Sequence, residues 1–177
     1  MNRLLNKDHI EEITSNLNND EFISSLIALI DDLLSLTQGQ QKEIKAGINN
    51  GLSISQIQLY SNPNLSFKQM RSLRTLLEIG VNVDIIILLS NSDLNYKQIL
   101  VAGYAMSIGI DRDWALGFVE YDQCDTIYNM YARSWYSTDK SKYDIKYNFS
   151  HDFYMMSIEI FMKTGVKRIL PSNKVED

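Results

Sequence analysis

The chain is poor in the residues that bind metals and close disulfides. Cys124 is its single cysteine, and His9 and His151 are its two histidines among 177 residues. A lone thiol closes no internal disulfide, and two histidines so far apart without a cysteine pair form no zinc-binding spacing. No GxGxxG, phosphate loop or HExxH occurs, so no cofactor or metal is expected and the chain reads as non-enzymatic. Long apolar stretches are missing as well. Even the longest runs, such as Ile85 to Leu89, fall far below the ~20 residues of a membrane span, and the opening MNRLLNKDHIEE has no apolar export core. A soluble, cytoplasmic protein with no membrane partner is the expectation.

What is present is a repeat. Aligning Leu36, Leu65 and Leu94 gives LTQGQQKEIKAGINNGLSI, LSFKQMRSLRTLLEIGVNV and LNYKQILVAGYAMSIGIDR, with Gln40, Gln69 and Gln98 in one column and Gly51, Gly80 and Gly109 in another. A fixed step in the range of roughly 20 to 50 residues marks a stacked array. Thr37, Ser66 and Asn95 are N-cap types, and a glutamine three residues on completes a capping box, so helices are predicted to begin near 37, 66 and 95. The leucine before each cap can staple against Met70 or Ile99; the first unit has polar Gln41 there. The glycine column falls where each helix should end in a left-handed turn. Apolar columns (Ile44, Leu73, Ala102; Ile48, Leu77, Met106) recur at helical spacing and predict one buried stripe. Ser53, Asn82 and Asp111 then open a shorter second helix, and SNPN and SNSD turn the chain into the next unit.

The array continues in worn form. YMMSIEIFMKTGV (154–166) aligns with QMRSLRTLLEIGV (69–81), which puts Gly165 in the glycine column and leaves a degenerate unit between. His151 is expected at the start of a helix following Ser150. Residues 6–18 and 20–35 read as two helices. The predicted organisation is all-α, a short solenoid-like array of helical hairpins: N-terminal capping helices over 1–35, three repeats over 36–122, and degenerate units with an aromatic-rich insertion over 123–177. Terminal units of such arrays are atypical because they cap the stack.

Gln69, Met70, Leu73, Arg74, Leu77, Glu78, Gly80, Val81 and Val83 resemble a tandem repeat of low-GC Gram-positive bacteria and their mobile elements, whose line runs roughly QM, IR, GLE, GL, V. Lys45 stands in for the arginine of that line and Gly103 does not. The likeness covers about residues 36–111 and is specific for the repeat rather than for an activity. It implies a phage or plasmid setting, where small helical proteins bind and block host machinery, anti-CRISPR proteins among them.

Charge and aromatics single out the C-terminal half. The net charge is −5, which disfavours unspecific nucleic-acid binding, yet the sign is uneven. Residues 1–35 carry seven acids against Arg3 and Lys7, whereas residues 133–168 carry seven bases against Asp139, Asp144, Asp152 and Glu159. Ten of the 18 aromatics lie between 121 and 154. Interfaces favour such rings. The acidic series Asp111, Asp113, Glu120, Asp122 and Asp125 would imitate a phosphate backbone if it formed one face; favourable charges at a helix start explain Asp111 and Asp113 more simply.

The candidate partner-binding residues are therefore Trp114, Glu120, Tyr121, Asp122, Asp125, Tyr131, Trp135, Tyr136, Tyr143 and Tyr147. The partner expected is a protein, and the resemblance suggests an RNA-guided nuclease or another nucleic-acid-binding effector. The alternative is a nucleic-acid-binding regulator using Arg133, Lys140, Lys142, Lys146, Lys167 and Arg168 with interleaved tyrosines. Cys124, flanked by Asp122 and Asp125, reads as a buried inert thiol. The apolar DIIILL (84–89) is expected either between units or in a homo-oligomeric contact.

Overall fold

A computed structural model describes residues 35–136, 146–167 and 170, with the backbone alone at 147. The expected helices over 6–18 and 20–35 therefore lie outside the described residues, apart from the last residue of the second. Among the described residues the structure is all-helical: α1 Gln38–Asn49, α2 Ile54–Gln58, α3 Phe67–Glu78, α4 Val83–Ser90, α5 Tyr96–Ser107, α6 Arg112–Phe118, α7 Gln123–Trp135 and α8 Lys146–Thr164. The chain forms two compact units, residues 1–70 and 71–177. No helix among the described residues is long and apolar enough to cross a membrane.

Local chemistry explains where the repeat helices start and stop. Thr37 and Asn95 close full capping boxes with Gln40 and Gln98. Ser66 does the same with Gln69: its hydroxyl accepts from the Gln69 amide at 3.2 Å, while its own amide donates to Gln69 Oε1 at 2.8 Å. Each box satisfies amides that the first helical turn would leave orphaned. At the other end Gly51, Gly80 and Gly109 adopt φ of 82°, 84° and 95°. Their amides donate to Ile48, Leu77 and Met106, and the next residues' amides reach back to Gly47, Leu76 and Ala105. This Schellman pattern needs a left-handed residue, the conformation glycine adopts without a Cβ penalty. Two residues later Ser53, Asn82 and Asp111 cap α2, α4 and α6.

The glutamine column has a second role. After Oε1 has closed the cap, Nε2 of Gln40 donates to the carbonyls of Leu65 at 2.6 Å and Pro63 at 3.1 Å. Nε2 of Gln98 donates to the Val119 carbonyl at 2.7 Å. One side chain thus caps its own helix and clasps the backbone that leads out of the following short helix. In the first unit, where the staple is missing, Gln41 Nε2 instead donates to the Leu36 carbonyl at 3.0 Å.

In the first unit α1 packs on α2, with Ile44, Ile57, Tyr60 and Leu65 buried. In the second, α5 packs on α4, α6 and α7, and α8 packs on α7. Gly103 explains its own departure from the repeat line: a Cβ there would lie 2.4 Å from Leu76 Cδ1 and 2.9 Å from Leu89 Cδ1. A larger residue would push α5 off two buried leucines. Within α4, Ile86 and Leu89 are buried, Ile85 and Leu88 are partly covered, and Val83 and Ile87 are exposed. Only one stripe of DIIILL is therefore core.

The last helices depart from the repeat. Asp122, at the N-cap position of α7, makes no side-chain cap bond, and Tyr136 rather than glycine ends that helix. Helix α8 begins at Lys146, so Ser150 lies inside it and donates to the Lys146 carbonyl; His151 sits within the helix, not at its mouth. Gly165 does take the expected φ of 72°, with one bond to the Phe161 carbonyl at 2.8 Å.

Candidate interaction face

Rings hold α7 and α8 in place. Phe149 packs edge-on to Tyr104 and Tyr131 at centroid distances of 4.8 and 5.2 Å, and Trp135 lies 5.4 Å from Tyr104 and 5.8 Å from Phe149. Phe153 packs on Phe118 at 4.0 Å and on Trp114 at 5.5 Å. Trp114 Nε1 donates to Ser157 Oγ at 2.9 Å, and the Tyr131 hydroxyl donates to Asp152 Oδ2 at 2.6 Å. Burial first, then the Asp152 bond, pushes the Tyr131 phenol above its usual range. A buried ring with one satisfied polar tip supplies large contact area at small polar cost.

These contacts sort the expected partner-binding residues. Trp135 is 3 % exposed and Tyr131 is buried, so both are core side chains. Trp135 Nε1 finds no hydrogen-bond acceptor among the described residues. Trp114, Tyr121 and Tyr136 are partly exposed. Tyr143 and the side chain of Tyr147 lie outside the described residues, as do Lys140, Lys142 and Arg168; Arg133, Lys146 and Lys167 are exposed.

The acidic residues Asp111, Asp113, Glu120, Asp122 and Asp125 are all exposed, but several have structural work. Asp111 accepts the amides of Asp113 and Trp114, Asp113 sits in the first turn of α6, and Asp125 pairs with Lys97 at 2.6 Å. Cys124 is buried. Burial, and then the Asp125 charge, push its thiol up to about 12, a setting that suppresses thiolate chemistry.

A different set of side chains gathers at the surface. Because Asn95 caps α5, Tyr96 and Lys97 open that helix and stay partly exposed. Packing of α7 on α5 brings Tyr128 edge-on to Tyr96 at 5.6 Å, with Lys97 Nζ 5.7 Å from the Tyr128 ring. The Asp125 bond raises the Lys97 pKa. Tyr136 ends α7 two turns along from Tyr128. Burial, then Tyr136 as a hydrogen-bonding neighbour, raises the Tyr128 phenol, and the Arg71 charge partly opposes the rise. Tyr96, Lys97 and Tyr128 thus meet in one amphipathic patch, with Tyr136 and Arg71 acting on its Tyr128 side. Tyr96 and Lys97 escaped the sequence reading because they sit in a repeat unit whose other residues are structural; an aromatic directly after a cap was the available signal.

The described surface also holds a shallow depression of about 170 Å³ lined by Asp122, Gln123, Thr126, Met156 and Glu159. That is small beside the several hundred Å³ of a typical small-molecule site. No cluster of three or more metal-ligating side chains occurs among the described residues. No family model, curated protein or solved structure matches the chain.

Proposed function

We propose that this chain is a non-enzymatic interaction module whose 29-residue units form one stacked array, and that it binds a protein partner through the Tyr96, Tyr128 and Tyr136 face. The observation that carries the reading is the face itself: partly exposed Tyr96 and Tyr128 in edge contact with Lys97 against the Tyr128 ring, and partly exposed Tyr136 with Arg71 on the Tyr128 side. Tyrosine and arginine are enriched in binding hot spots, tyrosine because its rigid ring buries much area at little entropic cost. The glutamine clasps support the stacked arrangement. The likeness of residues 36–111 to mobile-element repeats supports the narrower version, an anti-CRISPR-like inhibitor that blocks a host defence effector such as an RNA-guided nuclease.

Affinity capture from a Gram-positive lysate, with and without nuclease treatment, tests this. A stoichiometric protein partner should survive nuclease, and Tyr128→Ala or Tyr136→Ala should weaken capture by about tenfold or more. Capture indifferent to both substitutions removes the face from the reading. The flanking Arg71 and Lys97 favour a second reading, stacking of nucleic-acid bases on the tyrosines. Partners that vanish with nuclease, and binding that falls steeply with salt, would select it.

A further inference from the structure

Helix α8 carries the same apolar stripe as the repeat helices but, among the described residues, leaves Met155 and Met162 exposed and Ile158 and Phe161 only partly covered. In register, Met155, Ile158, Phe161 and Met162 occupy the columns of Met70, Leu73, Leu76 and Leu77 in α3 and of Ile99, Ala102, Ala105 and Met106 in α5. Seven of those eight counterparts are buried, and Met106 is partly covered. On α8, Met155 is 50 % exposed and Met162 78 %, with Tyr154 beside them at 42 %. The helix instead buries Phe149, Phe153, Ser157 and Ile160 against the aromatic core. Apolar residues therefore cover two faces of α8, and a helix apolar on both faces calls for a second partner layer.

We propose that this face pairs with the same face of a second copy, α8 against α8, antiparallel and centred on Ile158. Three features point to self-pairing. Met155, Ile158 and Met162 follow the three-and-four spacing of a helix seam, with Tyr154 and Phe161 beside it, so two identical faces interdigitate. The charges beside the seam include a self-complementary pair: Asp152 and Lys163 lie eleven residues apart, hence on one flank with Glu159 between them in sequence, at nearly equal distances either side of Ile158. An antiparallel pair sets each Asp152, whose Oδ2 already accepts from Tyr131 and whose Oδ1 would take the new bond, opposite the other copy's Lys163, twice. Lys163 reaches that position by leaving its exposed in-chain partner Glu159, 2.5 Å away, a pair of the kind that contributes little in water.

The third feature is area. Side chains of this size present on the order of 200 Å² each when free, so the three most open ones offer roughly 350 Å² per chain. With Ile158 and Phe161 added, two faces would bury on the order of 1,000 Å², the lower edge of a specific interface. That size predicts a reversible dimer with a dissociation constant of about 10–100 μM.

Sedimentation or light scattering over a concentration series tests the pairing. The mass should rise from 20.4 kDa toward twice that value at about 100 μM. The double variant Met155→Glu/Met162→Glu, altered only at exposed positions, should stay monomeric with an unchanged helical circular dichroism spectrum. Oxidative cross-linking fixes the geometry. Ile158→Cys should link to itself, whereas Met162→Cys should link to Tyr154→Cys in a mixture and poorly to itself. A chain monomeric throughout, a dimer that survives the double glutamate variant, or equal self-linking at 158 and 162 overturns the proposal.

Discussion

Helices α3 and α5 are held by devices at their ends, α7 and α8 by rings along their middles. In the first pair a capping box and a left-handed glycine mark each boundary within three or four residues. In the second pair α7 has neither, and the packing of Trp114, Phe118, Tyr131, Trp135, Phe149 and Phe153 sets the positions. End devices are local bonds, each worth on the order of 1 kcal/mol. A ring cluster is collective, so losing one member disturbs all its neighbours. The two regions should therefore respond differently to single substitutions.

Trp135→Ala should show the largest effect, a loss of about 3–5 kcal/mol in denaturant unfolding. Trp135→Phe should recover much of it, because the indole N–H has no acceptor to lose among the described residues. If Trp135→Ala unfolds no more readily than the native chain, the ring cluster is not what holds α7 and α8. Gly103→Ala comes next, at about 1–3 kcal/mol from the clash with Leu76 and Leu89, followed by Gly109→Ala at about 1–2 kcal/mol for forcing a Cβ into the left-handed region. Thermal melts of the two variants separate the steric cost from the conformational one.

Gln98→Ala should cost about 1–2 kcal/mol, since it removes one arm of the cap and the bond to the Val119 carbonyl together. Amide exchange would tell these apart: faster exchange at Asn95 reports the lost cap, and loosening around Val119 to Tyr121 reports the lost clasp. Cys124→Ala should show the smallest effect at neutral pH. An unfolded thiol releases its proton near pH 9, whereas the buried one holds it to about 12. The folded chain thus keeps a proton that the unfolded chain has lost, and stability declines as pH climbs through that window. Cys124→Ala should flatten that decline, and an unchanged alkaline slope would show the thiol to be more open than its burial implies.

The contrast also separates what was legible in the sequence from what was not. Capping boxes, glycine turns and second-helix caps were legible because each is a bond pattern closed within a few residues: Asn95 with Gln98, or Gly109 with Met106. The rotation of α8 was not, because Met155 and Met162 sit in the columns of buried residues, and only the competing rings at Phe149 and Phe153 turn that stripe outward. Aromatic composition likewise marked the region but not the roles. Trp135 and Tyr136 are neighbours in sequence, yet one is core and the other surface, a distinction made by α5 and α8. Nothing in the column of glutamines announced the outward bond of Gln98, since its capping role alone accounts for the residue.

That outward bond constrains how such a chain changes length. Gln98 must find the Val119 carbonyl 21 residues on, and Gln40 the Leu65 carbonyl 25 residues on. The two spans differ by four residues, so the chain between can change length a little and still return a carbonyl to the glutamine. Adding a whole 29-residue block at the Asn91 to Asp93 turn leaves both pairs intact. What the glutamine fixes is the tie between a helix start and the exit of the short helix after it, whatever the exact length of chain between them.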